Sequence, residues 1–429
     1  IIAFADDQYM KGDFIYALEY YKKALEKDSN SVKLLWKYAE TLKAYKDYPN
    51  AETYYAKVYA REQTKVYANS LLNLALMQKQ NGRYTQALKT LNLSAKKLAN
   101  KKSSPFYLKT IREIESCTWA KENLLDSSEF EPLYHLPETV NSVDAEFAHT
   151  IHDNKLIFSA LKADSSNNME EVYDKAYRTK LYFSKMNKQG TFLPFKLNPD
   201  LYHKELNYGN GSYSIDGTRY YFSVCEDDGY GYSCKIVVAE RSDSSWSITD
   251  TLTSEINSLG SNTTMPFFTR INGEEHLIFS SNRRGGKGGM DLWYAKSIDG
   301  INFNTPQNIK SVNSKENEVT PYFDTLQNKL FFSSTWFNGF GGYDVYSSAY
   351  VGGLFSTPSN LGNPINSPAN DLYYFGHNDS IFISSNRKGS LYAKNPTCCS
   401  DIYAAYPTIE LVTEEQIDTL VLMEKTAAL

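Results

Sequence analysis

The stretch 281–294 reads S-N-R-R-G-G-K-G-G-M-D-L-W-Y. It returns with variations at 334–346 as S-T-W-F-N-G-F-G-G-Y-D-V-Y, and at 385–403 as S-N-R-K-G, an insertion, then S-D-I-Y. Before each copy stands an apolar run ending in Ser: Leu277 to Ser280, Leu330 to Ser333 and Ser380 to Ser384. Two more runs of this kind, Leu156 to Ser159 and Tyr220 to Ser223, lie upstream. With Phe158, Phe222, Phe279, Phe332 and Phe382 taken as equivalent, the intervals are 64, 57, 53 and 50 residues. That period is the length of a four-stranded β-propeller blade, so five runs predict five blades.

Each unit has the same grammar. An Asn-Ser pair (141–142, 257–258, 313–314, 366–367) precedes the inner strand, a turn such as Ile215-Asp216-Gly217 leads to the aromatic strand, and the Gly-rich hairpin returns to Asp-Leu-Trp-Tyr or its counterpart. Aromatic and β-branched residues suit strands, whereas Gly, Asn and Asp suit turns that need positive φ. A fourth strand carries an aromatic, a Pro and an apolar residue: Phe303, Pro306 and Ile309, or Phe355, Pro358 and Leu361. The last unit stops at Tyr406 without one, and the missing phrase stands ahead of the first unit as Phe130, Pro132 and Leu136. Residues 129–136 are therefore expected to complete the final blade and close a propeller spanning 128–406.

Residues 1–125 follow a different rule, with apolar and small residues at helical spacing. Gly12-Asp13-Phe14 with Ala17, Tyr21 and Ala24 is echoed 34 residues later by Tyr48, Ala51, Tyr55 and Val58, then by Gly82, Tyr84, Ala87 and Leu91. This spacing predicts tetratricopeptide (TPR) helical repeats, with 104–124 as a capping helix. The fold expected is thus α plus all-β multidomain: TPR helices, then a five-bladed β-propeller. Residues 407–429 read as a strand (Ile409–Val412) and a helix (Glu414–Lys425) leading toward a further domain. The start at Ile1 shows no signal-peptide grammar and reads as a trimmed or mature end.

The chain has 429 residues, 41% apolar and 22% charged, an ordinary balance for a folded protein. No run approaches the roughly 20 apolar residues needed to span a bilayer. Residues 1–125 hold 21 Lys plus Arg against 13 Asp plus Glu, and the remainder 24 against 37. That excess on the helices reads as solvated Lys, and nucleic acid is not an expected partner. Five Cys with no Cys-x-x-Cys argue against zinc. Cys225 and Cys234 should face each other across one hairpin, which makes them a candidate disulfide. Cys117, Cys398 and Cys399 are left without an assigned pairing.

The glycine phrase is followed by a strand rather than a helix, which excludes a phosphate loop, and one Asp per unit is too few for calcium. Asp291, Asp344 and Asp401 instead read as hairpin locks that accept backbone or Arg283 and Arg387 hydrogen bonds. No Ser/His/Asp order with a nucleophile elbow occurs, and no cofactor or metal is expected. Candidate partner-binding residues fall in two groups. Lys33, Trp36, Asn69 and Leu72 are placed to face a helical groove of the kind that takes extended peptides. Glu146, Tyr208, Asn262, Glu318 and Asp371 align at the start of the inner strands and would ring one mouth of the channel. An acidic ring of Glu146, Glu318 and Asp371 also suits a glycan site, since glycosidases use two carboxylates about 5 to 9.5 Å apart. Polar capping of the strand starts is the plainer role for it.

With TPR helices leading into blades of S-N-R-x-G-G-x-G-G-x-D-[IL]-[WY], residues 1 to about 406 resemble a family of Bacteroidetes cell-envelope proteins. Its members join such repeats to a TolB- and WD-repeat-like propeller and to a C-terminal OmpA-like peptidoglycan-binding domain, and some serve type IX secretion and gliding. The resemblance implies a periplasmic, outer-membrane-associated protein whose partners are envelope proteins, with peptidoglycan bound only through a domain outside this sequence. The expected function is a non-enzymatic scaffold that offers a TPR groove and a propeller face to protein partners. The alternative is a glycan-binding or carbohydrate-active propeller.

Overall fold

Among the described residues, small residues and polar breaks at regular spacing build seven helices: α1 (Ile2–Met10), α2 (Phe14–Lys27), α3 (Val32–Ala44), α4 (Tyr48–Glu62), α5 (Ser70–Gln80), α6 (Tyr84–Lys97) and α7 (Pro105–Asn123). The computed structural model describes residues 1–124, 132–163, 177–188, 191–199, 201, 203, 206–227, 232–242, 245–393 and 395–406. Each helix packs on the next in sequence. Close approach falls where the side chain is a methyl: Ala17, Ala39, Ala51 and Ala87 have no exposed surface. Gly12 and Gly82 take φ of 77° and 72° at the breaks, a conformation that residues with a Cβ resist. Asp13, Asp47 and Ser104 each accept from a backbone N–H of the first turn, at 3.2, 3.3 and 3.2 Å.

Among the described residues from 132 to 406 the strands form a ring of five sheets. β1 (Tyr134–His135) joins the last of them. Blade 1 holds β2 (Ala145–His152), β3 (Lys155–Ala163), β4 (Tyr177–Lys185) and β5 (Lys196–Leu197). Blade 2 holds β6 (Asn207–Tyr213), β7 (Arg219–Asp227), β8 (Tyr232–Ser242) and β9 (Ser245–Thr251). Blade 3 holds β10 (Thr263–Ile271), β11 (Glu274–Ser281), β12 (Asp291–Lys296) and β13 (Gln307–Asn308). Blade 4 holds β14 (Glu318–Asp324), β15 (Lys329–Ser334), β16 (Asp344–Val351), β17 (Leu354–Phe355) and β18 (Ser359–Asn360). Blade 5 holds β19 (Asp371–His377), β20 (Ser380–Ser385) and β21 (Asp401–Ala405), and β1 completes it.

The closure expected from the sequence is present. Tyr134 pairs with Ala404 and His135 with Tyr403, and Leu136 N donates to Ile402 O at 3.1 Å. Of the expected closing segment, 129–131 lie outside the described residues, as do the strand and helix expected in 407–429. One alignment is corrected: Ser385 pairs with Asp371 as Ser334 pairs with Glu318. The counterpart of Phe332 is therefore Ile383 and not Phe382.

Between blades the core is aromatic and aliphatic; Phe158, Phe222, Phe279 and Phe332 have no exposed surface. The ring has two ends. One carries the Asn-Ser connectors and the Gly-rich hairpins, and the helices dock there. Tyr84 Oη donates to Phe340 O at 2.9 Å, Arg112 Nε donates to Trp336 O at 2.9 Å, and Lys109 pairs with Glu316 at 2.7 Å. Ser116 Oγ both donates to Gly339 O and accepts from Gly339 N, each at 3.1 Å. Asn370 Nδ2 donates to Tyr48 Oη at 2.7 Å. The other end carries the turns between inner and second strands.

Candidate functional site

All five inner strands carry a bulge at the same height. Their ladders slip between Phe147 and Thr150, Gly209 and Ser212, Thr264 and Phe267, Val319 and Tyr322, and Leu372 and Phe375. At each slip one residue has positive φ: Ala148 53°, Asn210 54°, Met265 56°, Thr320 53° and Tyr373 56°. Such a conformation costs about 1–2 kcal/mol for a residue with a Cβ, so it persists only where neighbours hold it. In blades 2 and 3 the Ser that ends the preceding blade's aromatic run does part of this. Asn210 N and Met265 N donate to Ser159 Oγ and Ser223 Oγ of the preceding blade, both at 2.9 Å.

The bulges narrow the axis to a cavity of about 40 Å³ lined by three residues from each inner strand. The lining is lopsided. Blades 1 and 2 contribute Ala148, His149, Thr150, Asn210, Gly211 and Ser212, which are small or polar. Blades 3 to 5 contribute an aromatic arc in which Phe267 lies edge-on to Tyr322 at 5.0 Å and Tyr322 edge-on to Phe375 at 5.4 Å. These three rings are half-buried. His149 Nδ1 lies 3.3 Å from Ser384 Oγ, while its Nε2 and Asn210 Oδ1 have no partner among the described residues. Burial pushes the His149 imidazole down to about 4, opposed by the Phe382 backbone, so the ring is neutral at pH 7. No carboxylate lines the cavity, and no group of three metal-ligating side chains occurs among the described residues.

The acidic residues expected around the channel are elsewhere. Glu146, Glu318 and Asp371 have no exposed surface. Glu318 accepts from Ser314 N, Ser314 Oγ and Ser334 Oγ at 2.7, 2.6 and 2.7 Å. Glu146 accepts from Ser142 N, Ser142 Oγ and Lys162 at 3.0, 2.7 and 2.8 Å. Asp371 accepts from Ser367 N and Ser385 Oγ and pairs with Arg387, each at 2.6 Å. Burial raises the carboxyls of Glu146 and Glu318 above the usual range. These residues cap the strand starts and present nothing to a partner. Asn262 is a register correction: Thr263 opposite Ser281 holds the ring position, because the connector from Ser258 is one residue longer than in blades 4 and 5.

Asn262 has another role, which it shares with residues the sequence reading passed over. The Asn just ahead of the ring position accepts from a backbone N–H in the preceding blade's hairpin: Asn207 from Thr179, Asn262 from Cys234, Asn317 from Met290 and Asn370 from Tyr343, at 2.9, 2.8, 3.0 and 3.2 Å. The Asn of each Asn-Ser pair clips the third strand. Asn141, Asn257, Asn313 and Asn366 accept from, and donate to, the backbone of Ile402, Ile236, Leu292 and Val345 respectively. The hairpin Asp residues take backbone N–H groups as expected, Asp291 from Gly288 and Lys287, and Asp344 from Phe340 and Gly341. The Arg part of that expectation is corrected: Arg283 reaches Glu255 O and Ile256 O, and Arg387 reaches Pro364 O and Ile365 O.

The helical candidates do not form an open groove. Trp36 stacks on Tyr67 at 4.3 Å and lies edge-on to Tyr55 at 5.6 Å, and Leu72 is buried with Ala75, Ala87, Leu91 and Cys117. Asn69 precedes α5 and is half-buried, and only Lys33 is exposed. Cys225 and Cys234 pair across β7 and β8 and are bonded, as expected. Cys398 and Cys399 are bonded to each other, and Cys117 is free and buried.

No family model and no curated relative matches the chain. Among solved structures, RS223 β-xylosidase is 11% identical, covering 64% of this chain and 94% of its own, with a TM-score of 0.41. The catalytic domain of a Coprinopsis cinerea GH62 α-L-arabinofuranosidase is 10% identical, covering 65% and 98%, at 0.42. The Yersinia enterocolitica type III secretion translocator chaperone SycD is 18% identical, covering 28% and 83%, at 0.26. The expected non-enzymatic scaffold is corrected. Its groove residues do not offer a surface, since Trp36 is half-buried against Tyr55 and Tyr67 and Leu72 is buried, and the exclusion of enzymes, which rests on that scaffold, is withdrawn with it. At these identities and TM-scores the likeness itself assigns no activity, substrate or site to this chain.

Proposed function

We propose that the protein binds neutral carbohydrate at the axial mouth of the propeller, on the end that carries the inner-strand turns. The observation that carries this reading is the lopsided lining, with Phe267, Tyr322 and Phe375 on one side and His149, Thr150, Asn210 and Ser212 on the other. Aromatic faces suit the C–H faces of sugars, and a few convergent polar groups suit their hydroxyls. No charged side chain lines the cavity, which argues for a neutral ligand, because a charged one would lose its hydration without gaining a partner. The helix–propeller hydrogen bonds lie at the opposite end, which leaves this mouth for a ligand.

Two disulfides support an oxidising compartment, and with the blade phrase they support the periplasm. The sequential packing of α1 to α7 and the buried Ala positions support reading the helices as tetratricopeptide units. A screen of the full chain against neutral oligosaccharides, followed by calorimetry, tests the proposal. Binding should weaken about five- to thirtyfold in Tyr322→Ala, the loss of one stacking face being worth about 1–2 kcal/mol. Absence of any neutral glycan ligand, or binding indifferent to Tyr322, would defeat it.

A further inference from the structure

We infer that the outer face of α6, with the turn that follows it, is a docking surface for an anionic lipid bilayer. The inference is independent of the carbohydrate reading. Charge is the first observation. No Asp or Glu stands between Glu62 and Glu113, a stretch that holds ten Lys plus Arg. Four of the ten are engaged: Lys79 and Lys109 with Glu113, Arg83 with Glu52 and Arg112 with Glu115. Lys89, Lys96, Lys97, Lys101 and Lys102 are exposed and make no ion pair among the described residues. The helices packed on α6 do little to offset them. α5 has no carboxylate, and on α7 Glu113 is buried between two ammonium groups. Glu122 follows Ala120, which meets Tyr84 at the opposite end of α6 from the turn.

Shape is the second. α6 buries Tyr84, Ala87, Leu91 and Ser94, so Lys89, Leu93, Lys96 and Lys97, at i, i+4, i+7 and i+8, share its outer face. In the turn Lys101 N donates to Leu98 O at 2.8 Å and Ser104 N to Lys101 O at 2.9 Å, which holds Lys101 and Lys102 at the end of the helix. Favourable placement at a helix C-terminus accounts for Lys96 and Lys97, but not for Lys89, Lys101 and Lys102. Two apolar side chains stand among the lysines. Leu93 is 37% exposed and Phe106 40%, and Phe106 lies one turn ahead of Thr110, whose Oγ1 is 3.3 Å from Ser94 Oγ of α6. A soluble polyanion gains nothing from these two. A bilayer takes apolar side chains at its acyl boundary and ammonium groups at its phosphates, and it asks no groove of a convex helix ridge.

Flotation of the full chain with lipid vesicles tests this. The protein should bind phosphatidylglycerol vesicles and not phosphatidylcholine ones, and binding should fall steeply from about 0.1 to about 0.5 M salt. Changing Lys89, Lys96, Lys97, Lys101 and Lys102 together to Gln should weaken it by about a hundredfold or more, each lysine being worth about fivefold at an anionic surface. Lys22, Lys27, Lys33, Lys57 and Lys65 are exposed on the other helices, and changing those five to Gln removes the same charge. That control should weaken binding by less than about threefold, which keeps the test independent of net charge. Leu93→Ser with Phe106→Ser should weaken vesicle binding by about threefold or more and leave any binding of soluble polyglutamate unchanged. No binding to the anionic vesicles, equal binding to both lipids, or equal losses in the two lysine sets would each overturn the inference. Polyglutamate bound as tightly as the anionic vesicles would also overturn it, in favour of an acidic protein.

Discussion

His135 Nε2 lies 2.5 Å from Asp401 Oδ2, although 266 residues separate them. The contact joins the strand that opens the propeller to the third strand of its last blade. It repeats in kind what Asn308 Nδ2 does to Asp291 Oδ2 at 2.8 Å inside blade 3. Asp401 has no exposed surface, so His135→Ala would leave a buried carboxylate short of a partner. A loss of about 1–3 kcal/mol is expected in urea denaturation. An unchanged midpoint would mean that the ring does not depend on this closure.

The Asn clips make a second prediction. Asn313 Nδ2 reaches Leu292 O at 2.9 Å and Asn308 Oδ1 at 3.1 Å, while Asn313 Oδ1 takes Leu292 N at 2.8 Å. Asn313→Ala orphans buried backbone groups and should cost about 2–3 kcal/mol. Asn313→Asp keeps the acceptor but turns a carboxylate oxygen toward Leu292 O and Asn308 Oδ1 in a buried site, so its cost should at least equal that of Ala. Denaturant midpoints for the pair check the order.

The arrangement of blades was legible because its signals are local and repeated. The aromatic run recurs five times, Asn-Ser four times and the Gly-rich phrase three times, and the displaced fourth strand announced the closure. Two positions slipped by one residue, Asn262 for Thr263 and Phe382 for Ile383, because a longer connector or a swapped side chain does not disturb the pattern around it. The axial lining was not legible. It depends on bulges at Ala148, Asn210, Met265, Thr320 and Tyr373, and those residues share no side-chain type. The docking hairpin from Trp336 to Phe340 was visible as a variant of the phrase, yet only Phe340 meeting Tyr84, Trp119 and Ala120 explains its aromatics.

Where helices meet blade 4, two carboxyls titrate in opposite senses. Glu113 lies between Lys79 at 3.0 Å and Lys109 at 2.9 Å. Burial opposes its ionised form, but the two ammonium groups outweigh it and hold the carboxyl at about 2. Its contribution is present above the unfolded value and is lost as pH falls toward 2. Glu113→Gln leaves two partly or fully buried ammonium groups under-paired and should cost about 3–5 kcal/mol at pH 7.

Burial pushes Asp344 up to about 7, so its contribution is fully present below its unfolded value and is lost as pH rises to about 7. Asp344→Asn should flatten the decline in stability between pH 4 and 7, measured by denaturation across that range. A slope equal to that of the unaltered protein would place the proton elsewhere.

Reduction of Cys225–Cys234 opens a loop of sequence separation 9. On the chain-entropy account, the pair Cys225→Ser and Cys234→Ser should lower stability by about 2–3 kcal/mol. Because the bond lies in a hairpin of blade 2 and touches none of the cavity lining, glycan affinity should stay the same.

The most direct measurement is a crystal structure of the full chain with a neutral oligosaccharide that binds it. The account predicts a sugar ring against Phe267, Tyr322 and Phe375 at the axial mouth. A sugar seated on the helices, or at the connector end beside Glu318 and Asp371, would contradict it.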